Sequence, residues 1–420
     1  MVLSGLVSFF CGEAFLNSAF SSYVKIGAHR MPSIWQYMLP EDFFHLHFPS
    51  EQMSDCARCP QVVEHGFREP HKCCTYIPRI PNFLLGGALM HGAKVQNGIT
   101  TFGLPEGSLI TPAYYEDSLM EAKRGLFGKS DLVQCPFLSV ESGRCQIYAF
   151  RNSVCSTFFC RNNHGTRGHM FWEKVQNLVG QIETALSHFC MEELSLPVDN
   201  YIKTLDTMAA HIGDLSDAKT KGWTRQVQKK LFGPYADREE SFYLECYKII
   251  VKNKDRLFEI AESVPLKDTW KYHRALYDWF SKEAQEEVVF APPKGEGRIV
   301  SISDLWYELK LFHRDLWRLP FNEGSLLLNP KVVLAENKGD SAIRSHFGCK
   351  PFRLSIMGNA KVEWETYLTE KEYHALSFFK QTRKLDSRLL ENSAIKALDD
   401  PRASLSYWIR LKALDVEKEF

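Results

Sequence analysis

Several familiar catalytic signatures are missing from this sequence. It has no G-x-S-x-G elbow, no P-loop, no H-E-x-x-H helix and no dinucleotide fingerprint. Their absence removes the commonest hydrolase, nucleotide-binding, metalloprotease and dehydrogenase readings. It has no excess of charge either: Lys+Arg and Asp+Glu both number 51. No overall field therefore directs the chain to nucleic acid or to an anionic membrane. Long apolar runs are also lacking. The opening MVLSGLVSFF comes nearest, but no Lys or Arg precedes it, and Gly5, Ser8, Gly12, Glu13, Asn17 and Ser18 interrupt the stretch. A signal peptide needs a basic start, and a spanning helix needs about 20 nearly unbroken apolar residues. The expectation is a cytoplasmic protein with no membrane span.

What is present is an ordinary globular balance over 420 residues, 45% hydrophobic and 24% charged. At roughly 150 residues per domain, that length suggests two or three domains. Cysteine departs from the ordinary. There are 12, and eight of them fall in one segment: Cys56, Cys59, Cys73, Cys74, Cys135, Cys145, Cys155 and Cys160. The other four, Cys11, Cys190, Cys246 and Cys349, are scattered through apolar surroundings and read as small core hydrophobes.

Disulfides would call for an oxidising compartment and usually a short secreted chain, whereas grouped thiols in a reducing compartment usually bind metal. The spacing favours metal. Cys56-Ala-Arg-Cys59 is a C-x2-C turn, which aims two thiolates at one ion. Cys73-Cys74 is a doublet; neighbouring side chains diverge, so a doublet suggests two sites or a cluster. The later group runs Cys135-x9-Cys145-x9-Cys155-x4-Cys160, with turn residues Glu141-Ser142-Gly143 and Arg151-Asn152-Ser153 between its members. From Cys56 to His169 there are twelve Lys/Arg against eight Asp/Glu, a local positive excess that would offset thiolate charge and lower thiol pKa. The C-x3-C-x2-C triad of radical S-adenosylmethionine enzymes is absent.

These residues carry a resemblance. Cys56-x2-Cys59, Cys73-Cys74, Cys135-Pro136-Phe137-Leu138, Cys145-Gln146-Ile147-Tyr148, Arg151 and Cys155-x4-Cys160 resemble the YkgJ-type cysteine-cluster family. That is the zinc- or iron-chelating CxxCxxCC domain, also found in flagellin lysine-N-methylase. Two departures stand out: thirteen residues separate Cys59 from Cys73, where the family has a short gap, and Asn152 stands where the family has proline. The resemblance covers roughly residues 50–170 and implies a metal or iron–sulfur site without naming a reaction.

The expected fold class is α+β, mainly helical. An irregular, metal-stapled cysteine-cluster domain with N-terminal helices is expected over 1–190, and a helical region over 191–330. A small hairpin-plus-helices region, winged-helix-like in outline, is expected over 331–420. Pro40-Glu41-Asp42-Phe43 reads as a helix start, and Gly86-Gly87 as turn geometry within an irregular stretch. Apolar Phe171, Val175, Leu178, Ile182 and Leu186 predict a helix over about 170–190. Further helices are predicted near 198–213, 238–264, 267–288 and 302–318, and 291–297 reads as a loop. Strands are predicted at 331–336 and 352–367, with a hairpin at Gly358-Asn359. A capping box at Thr369 and Glu372 should start a helix, with short helices near 386–397 and 402–415.

The eight clustered cysteines are the expected ligands, each site mixing early and late members. Tyr148, Arg151 and Arg161, between consecutive cysteines or just after the last, are the expected cofactor or substrate contacts. His164 and His169 are the best non-cysteine ligand candidates, and His45 and His47 read as half-buried residues. The expected cofactor is an iron–sulfur cluster, with zinc as the alternative. The expected role is a metal-dependent enzyme or electron-transfer protein acting on a protein or peptide; the alternative is an interaction module with a structural zinc. Nucleic acid is not an expected partner, because residues 350–420 carry 13 basic against 11 acidic residues.

Overall fold

A computed structural model describes residues 20–417, apart from 52–60, 63–65, 70–71, 76–78, 95–107, 118–127, 130–133, 140, 161, 163, 211–215, 218–221, 224, 266–299, 317–323, 337–351, 359–361, 385 and 399–400. The described chain is mixed α+β, with helix the larger part and several small antiparallel sheets. It begins with a hairpin, β1 (Tyr23–Ile26) and β2 (His29–Pro32). Helix α1 (Trp35–Met38) follows, and the expected helix start at Pro40 yields only a 3-10 turn, Glu41–His45. Strand β3 (Ile80–Pro81) runs into helix α2 (Asn82–Met90), then β4 (Ser108–Ile110) and β5 (Tyr114–Asp117), in the sheet order β3-β5-β4.

Helix α3 (Ser153–Thr157) precedes the long helix α4 (Gly165–Glu193). After them come α5 (Val198–Ala210), the pair β6 (Ser216–Asp217) and β7 (Gly222–Trp223), α6 (Arg225–Phe232), α7 (Glu239–Lys252), α8 (Leu257–Ser263) and α9 (Ile302–Leu316). The predicted helix over 267–288 and the loop at 291–297 lie outside the described residues. The last part holds β8 (Ser325–Leu328), β9 (Val332–Glu336), β10 (Phe352–Met357), β11 (Val362–Leu368) and α10 (Glu370–Phe378). Strand β12 (Arg383–Lys384), α11 (Ser393–Lys396), α12 (Pro401–Arg410) and β13 (Leu414–Glu417) complete it.

By contacts the chain divides into two units. One comprises Met1–Leu46, Cys59–Phe158 and Glu173–Tyr307; the other comprises His47–Arg58, Phe159–Trp172 and Glu308–Phe420. The core of the first is built on α4, whose Val175, Leu178, Val179, Ile182 and Leu186 recur at helical spacing and are fully buried. Gly86 and Gly87 correct the expected turn: both lie inside α2. A Cβ on Gly86 would sit 1.8 Å from the Tyr243 carbonyl oxygen, and one on Gly87 would sit 2.6 Å from the Phe150 ring. Glycine is there so that α2 can cross α7 closely, and that packing outweighs its low helix propensity. Asn82, also fully buried, ties the start of α2 inward: its Nδ2 donates to Pro112 O (2.9 Å) and to Ser187 O (3.0 Å).

In the second unit, β10 pairs with both β9 and β11, and β8 pairs with both β12 and β13. Leu354, Leu376, Phe379, Ile395, Leu405 and Trp408 form its core. The capping box of α10 is in place: Thr369 Oγ1 accepts from Glu372 N (3.2 Å), and Glu372 Oε2 accepts from Thr369 N (2.7 Å). The helix expected to reach residue 415 ends at Arg410. Lys412 takes a φ of +61°, which no helix accommodates, and Leu414–Glu417 become a strand on β8. In the same unit buried Glu51 accepts the backbone N–H of His164 (3.1 Å) and faces its Nδ1 (3.5 Å). No helix among the described residues is long and apolar enough to cross a membrane.

Candidate metal centre

The loop after Cys135 folds back on itself. Leu138 and Cys145 form an antiparallel bridge, Gln146 N donates to Phe137 O (2.8 Å) and Ser139 N donates to Arg144 O (2.9 Å). Gly143, at φ +61°, closes this turn, as the Glu141-Ser142-Gly143 signal implies. Phe137 and Leu138 are buried and anchor the loop. The tight turn aims backbone amides at sulfur: the Cys135 thiol accepts from the N–H groups of Phe137 and Leu138, and the Cys145 thiol accepts from Ile147 N–H. Hydrogen bonds of this kind tune thiolate ligands in metal and iron–sulfur sites.

Cys155 is presented by α3. Asn152 caps that helix, its Oδ1 accepting Cys155 N–H (3.0 Å), while its Nδ2 donates to Arg79 O (2.7 Å). This is the position where the resemblance has proline, and the Asn side chain supplies a capping bond that proline cannot. The far end of the helix entry is braced by Glu183 on α4. That carboxylate accepts from Ser153 N (2.8 Å) and Ser153 Oγ (2.9 Å). Glu183 is 3% exposed, and burial pushes its pKa up to about 8 against the two Ser153 hydrogen bonds that lower it.

The early cysteines meet the late ones here. Cys135 N donates to Cys74 O (2.8 Å). Side chains of a doublet diverge in an extended strand, but here the Cys73 and Cys74 thiols are hydrogen-bonded to one another. The Cys74 thiol donates to Cys73, and this bond lowers the Cys73 pKa in spite of burial. The same bond, burial and the neighbouring thiolates Cys73, Cys135 and Cys145 raise Cys74 strongly. Burial pushes Cys135 up to about 12, with Cys145 adding to it. Burial also raises Cys145, and it raises Cys155 well above the usual thiol range, helped by Cys145 and Cys135. These five thiols share one electrostatic neighbourhood.

Arg151 is the cation in that neighbourhood, opposing the rise at Cys145 and Cys155 and favouring the Cys73 thiolate. It is 9% exposed. Its Nε donates to Tyr148 O (3.2 Å), its Nη1 to Cys155 O (3.1 Å), and its Cζ lies 3.7 Å from the Tyr148 ring centroid. The Tyr23 ring meets that of Tyr148 edge-on at 5.7 Å. Arg151 and Tyr148 thus stand beside the thiols, as their place between consecutive cysteines suggests. Lys72, missed in the sequence, also favours the Cys73 thiolate, and its Nζ donates to Gly143 O (3.4 Å). A lysine adjoining a cysteine doublet was the available signal.

Cys56, Cys59 and Arg161 lie outside the described residues, as do Cys11 and Cys349. Cys160 is buried in the second unit. Cys190 and Cys246 are core residues of α4 and α7, with Cys190 Sγ donating to Cys246 O (3.6 Å). His164 is engaged with Glu51 and packs on the Tyr407 ring (4.6 Å), and His169 is exposed. His45 is exposed and His47 half-buried.

The donor chemistry fits a thiophilic ion: five thiols, three N–H groups on sulfur and one buried guanidinium. Without a metal ion, burial keeps most of these thiols protonated, so binding a metal would replace their protons. Among the described residues, no three His, Cys, Asp or Glu side chains are grouped so that they could hold one ion. The structure therefore brings the thiols into one neighbourhood without assigning a ligand set. No protein-family model matches the chain, and neither a curated protein nor a solved structure matches it.

Proposed function

We propose that the clustered cysteines hold a metal, with an iron–sulfur cluster the first choice and zinc the second. On this reading the chain is a YkgJ-type cysteine-cluster protein. It works as a metal-dependent enzyme or electron-transfer protein on a protein or peptide, in the reducing cytoplasm. The observation that supports the reading is the electrostatic neighbourhood that Cys73, Cys74, Cys135, Cys145 and Cys155 share with Arg151, with backbone N–H groups turned toward two of the sulfurs. An isolated buried thiol needs no such donors; a thiolate ligand does. When bound, the metal would supply redox or Lewis-acid chemistry. The chain's own residues hold the thiols in place and neutralise part of their charge, the latter through Arg151 and Lys72.

Single Cys→Ser substitutions test this. Each of the five should lower the bound metal per chain, whereas Cys190→Ser and Cys246→Ser should leave it unchanged. Equal metal content in all seven variants would refute the assignment. A colourless protein holding zinc would support the structural-ion alternative, in which the metal staples an irregular segment of an interaction module.

A further inference from the structure

The first hairpin carries two cations where sheet pairing disfavours them. Lys25 and Arg30 are Cα partners across β1 and β2, so both side chains leave from one face. Like charges directly opposite destabilise an antiparallel pair, whereas opposite charges there would stabilise it. Both residues are exposed, and among the described residues neither makes a hydrogen bond or an ion pair. Ile26, His29 and Met31, on the other face, are buried, so the hairpin is anchored without the two cations.

Tyr23 stands two residues before Lys25 and therefore on the same face of the hairpin. It is 43% exposed, and its ring meets that of Tyr148 at 5.7 Å. Strand β2 packs on the 3-10 turn Tyr148–Phe150, between Cys145 and Cys155, and all of these residues belong to the first unit. Burial raises the Tyr23 pKa, Tyr148 and Cys145 add to the rise, and Arg151 and Arg30 oppose it. Its hydroxyl thus stands between a hairpin cation and the thiols. On the loop before Cys145, exposed Glu141 and Arg144 have opposite signs and offset one another. Exposed cations beside tyrosines suit the carboxylates of a protein partner, since Arg and Tyr are enriched at protein interfaces. Two cations are few for nucleic acid, whose affinity rests on a run of phosphate contacts.

We propose that this face docks an acidic segment of a partner protein, its carboxylates on Lys25 and Arg30 and its chain crossing Tyr23 toward the thiols. Only the purpose of docking, bringing the partner to the thiol site, rests on the metal reading; docking itself is read without a metal. The probe is a fluorescein-labelled octapeptide alternating aspartate and glutamate, bound to the full-length protein near pH 7 in low salt and followed by fluorescence anisotropy. A lysine octapeptide and a single-stranded oligodeoxythymidylate are the counterparts. The acidic peptide should bind with a Kd of about 100 μM or tighter, and salt should weaken it. Lys25→Gln combined with Arg30→Gln should weaken it about tenfold or more, and Lys25→Glu combined with Arg30→Glu should abolish binding. Lys331→Gln combined with Lys380→Gln, an equal charge change at exposed sites of the second unit, should leave the Kd within about twofold. Far-ultraviolet circular dichroism confirms that the variants fold. Binding through the hairpin by a metal-free protein upholds the docking surface while the metal reading fails. The proposal is overturned if the acidic peptide does not bind at about 1 mM, or if either counterpart binds more tightly. It is also overturned if the folded Gln variant of the hairpin binds as the parent does, or no worse than the second-unit variant.

Discussion

Glu183→Gln is the substitution whose effect can be worked furthest. The native carboxyl is fully enclosed, with Ser153 N–H and Oγ on its two oxygens. Its pKa stands at about 8 rather than the ordinary 4.5. Between those values the folded chain keeps a proton that the unfolded chain has lost. Stability contributed by the protonated form is therefore complete below pH 4.5 and is lost as pH rises, the loss levelling off above about 8. The full effect is about 5 kcal/mol, of which about 3 has appeared by pH 7. Glutamine has the shape of the protonated acid, accepts the Ser153 N–H and does not titrate. Urea unfolding of both proteins, followed by tryptophan fluorescence, should give similar stabilities near pH 5 and an advantage of several kcal/mol for the variant near pH 8.5. Measuring the pair at each pH cancels effects common to both. Parallel curves across this range, or a variant weaker at every pH, would refute the reasoning.

Three other changes have definite expectations. Gly86→Ala should destabilise the first unit by about 3 kcal/mol or more, read as a lower denaturant midpoint, because its Cβ would lie 1.8 Å from the Tyr243 carbonyl oxygen. Thr369→Ala removes one arm of the capping box of α10 and should cost about 1 kcal/mol in the unfolding of the second unit. Arg151→Ala should slow iodoacetamide alkylation of Cys73 in metal-free protein at neutral pH, since the guanidinium favours that thiolate. Arg151→Lys should slow it less. Unchanged rates in both would remove Arg151 from the thiols' surroundings.

The long helix α4 was legible because its apolar residues follow one period, and α10 because a capping box states its own start. Local signals of that kind survive without tertiary information. The helix α2 was not legible: its double glycine reads as a turn until α7 is seen lying against it. Strands β8 and β13 were missed because they pair across more than 80 residues, and neither is long enough to show its alternation alone. The structure brings the early doublet beside Cys135, with Cys135 N donating to Cys74 O, whereas the eight-ligand set expected from spacing extends to Cys56 and Cys59, outside the described residues. The contact between Cys73 and Cys74 was not legible, because adjacent side chains diverge in an extended chain and no residue type nearby signals otherwise. Glu183 was hidden for the opposite reason. An acid in a helix reads as solvent-facing, yet it follows Ile182 and lies one turn beyond Val179, on the buried side of α4.

The central claim is that the five neighbouring thiols are ligands, and anaerobic purification followed by metal and acid-labile sulfide analysis tests it most directly. The account predicts iron with stoichiometric sulfide and a visible absorption that dithionite bleaches, or, on its second choice, zinc without colour. A metal-free protein in which Cys73, Cys74, Cys135, Cys145 and Cys155 all react with a thiol reagent, or are paired as disulfides, would contradict it.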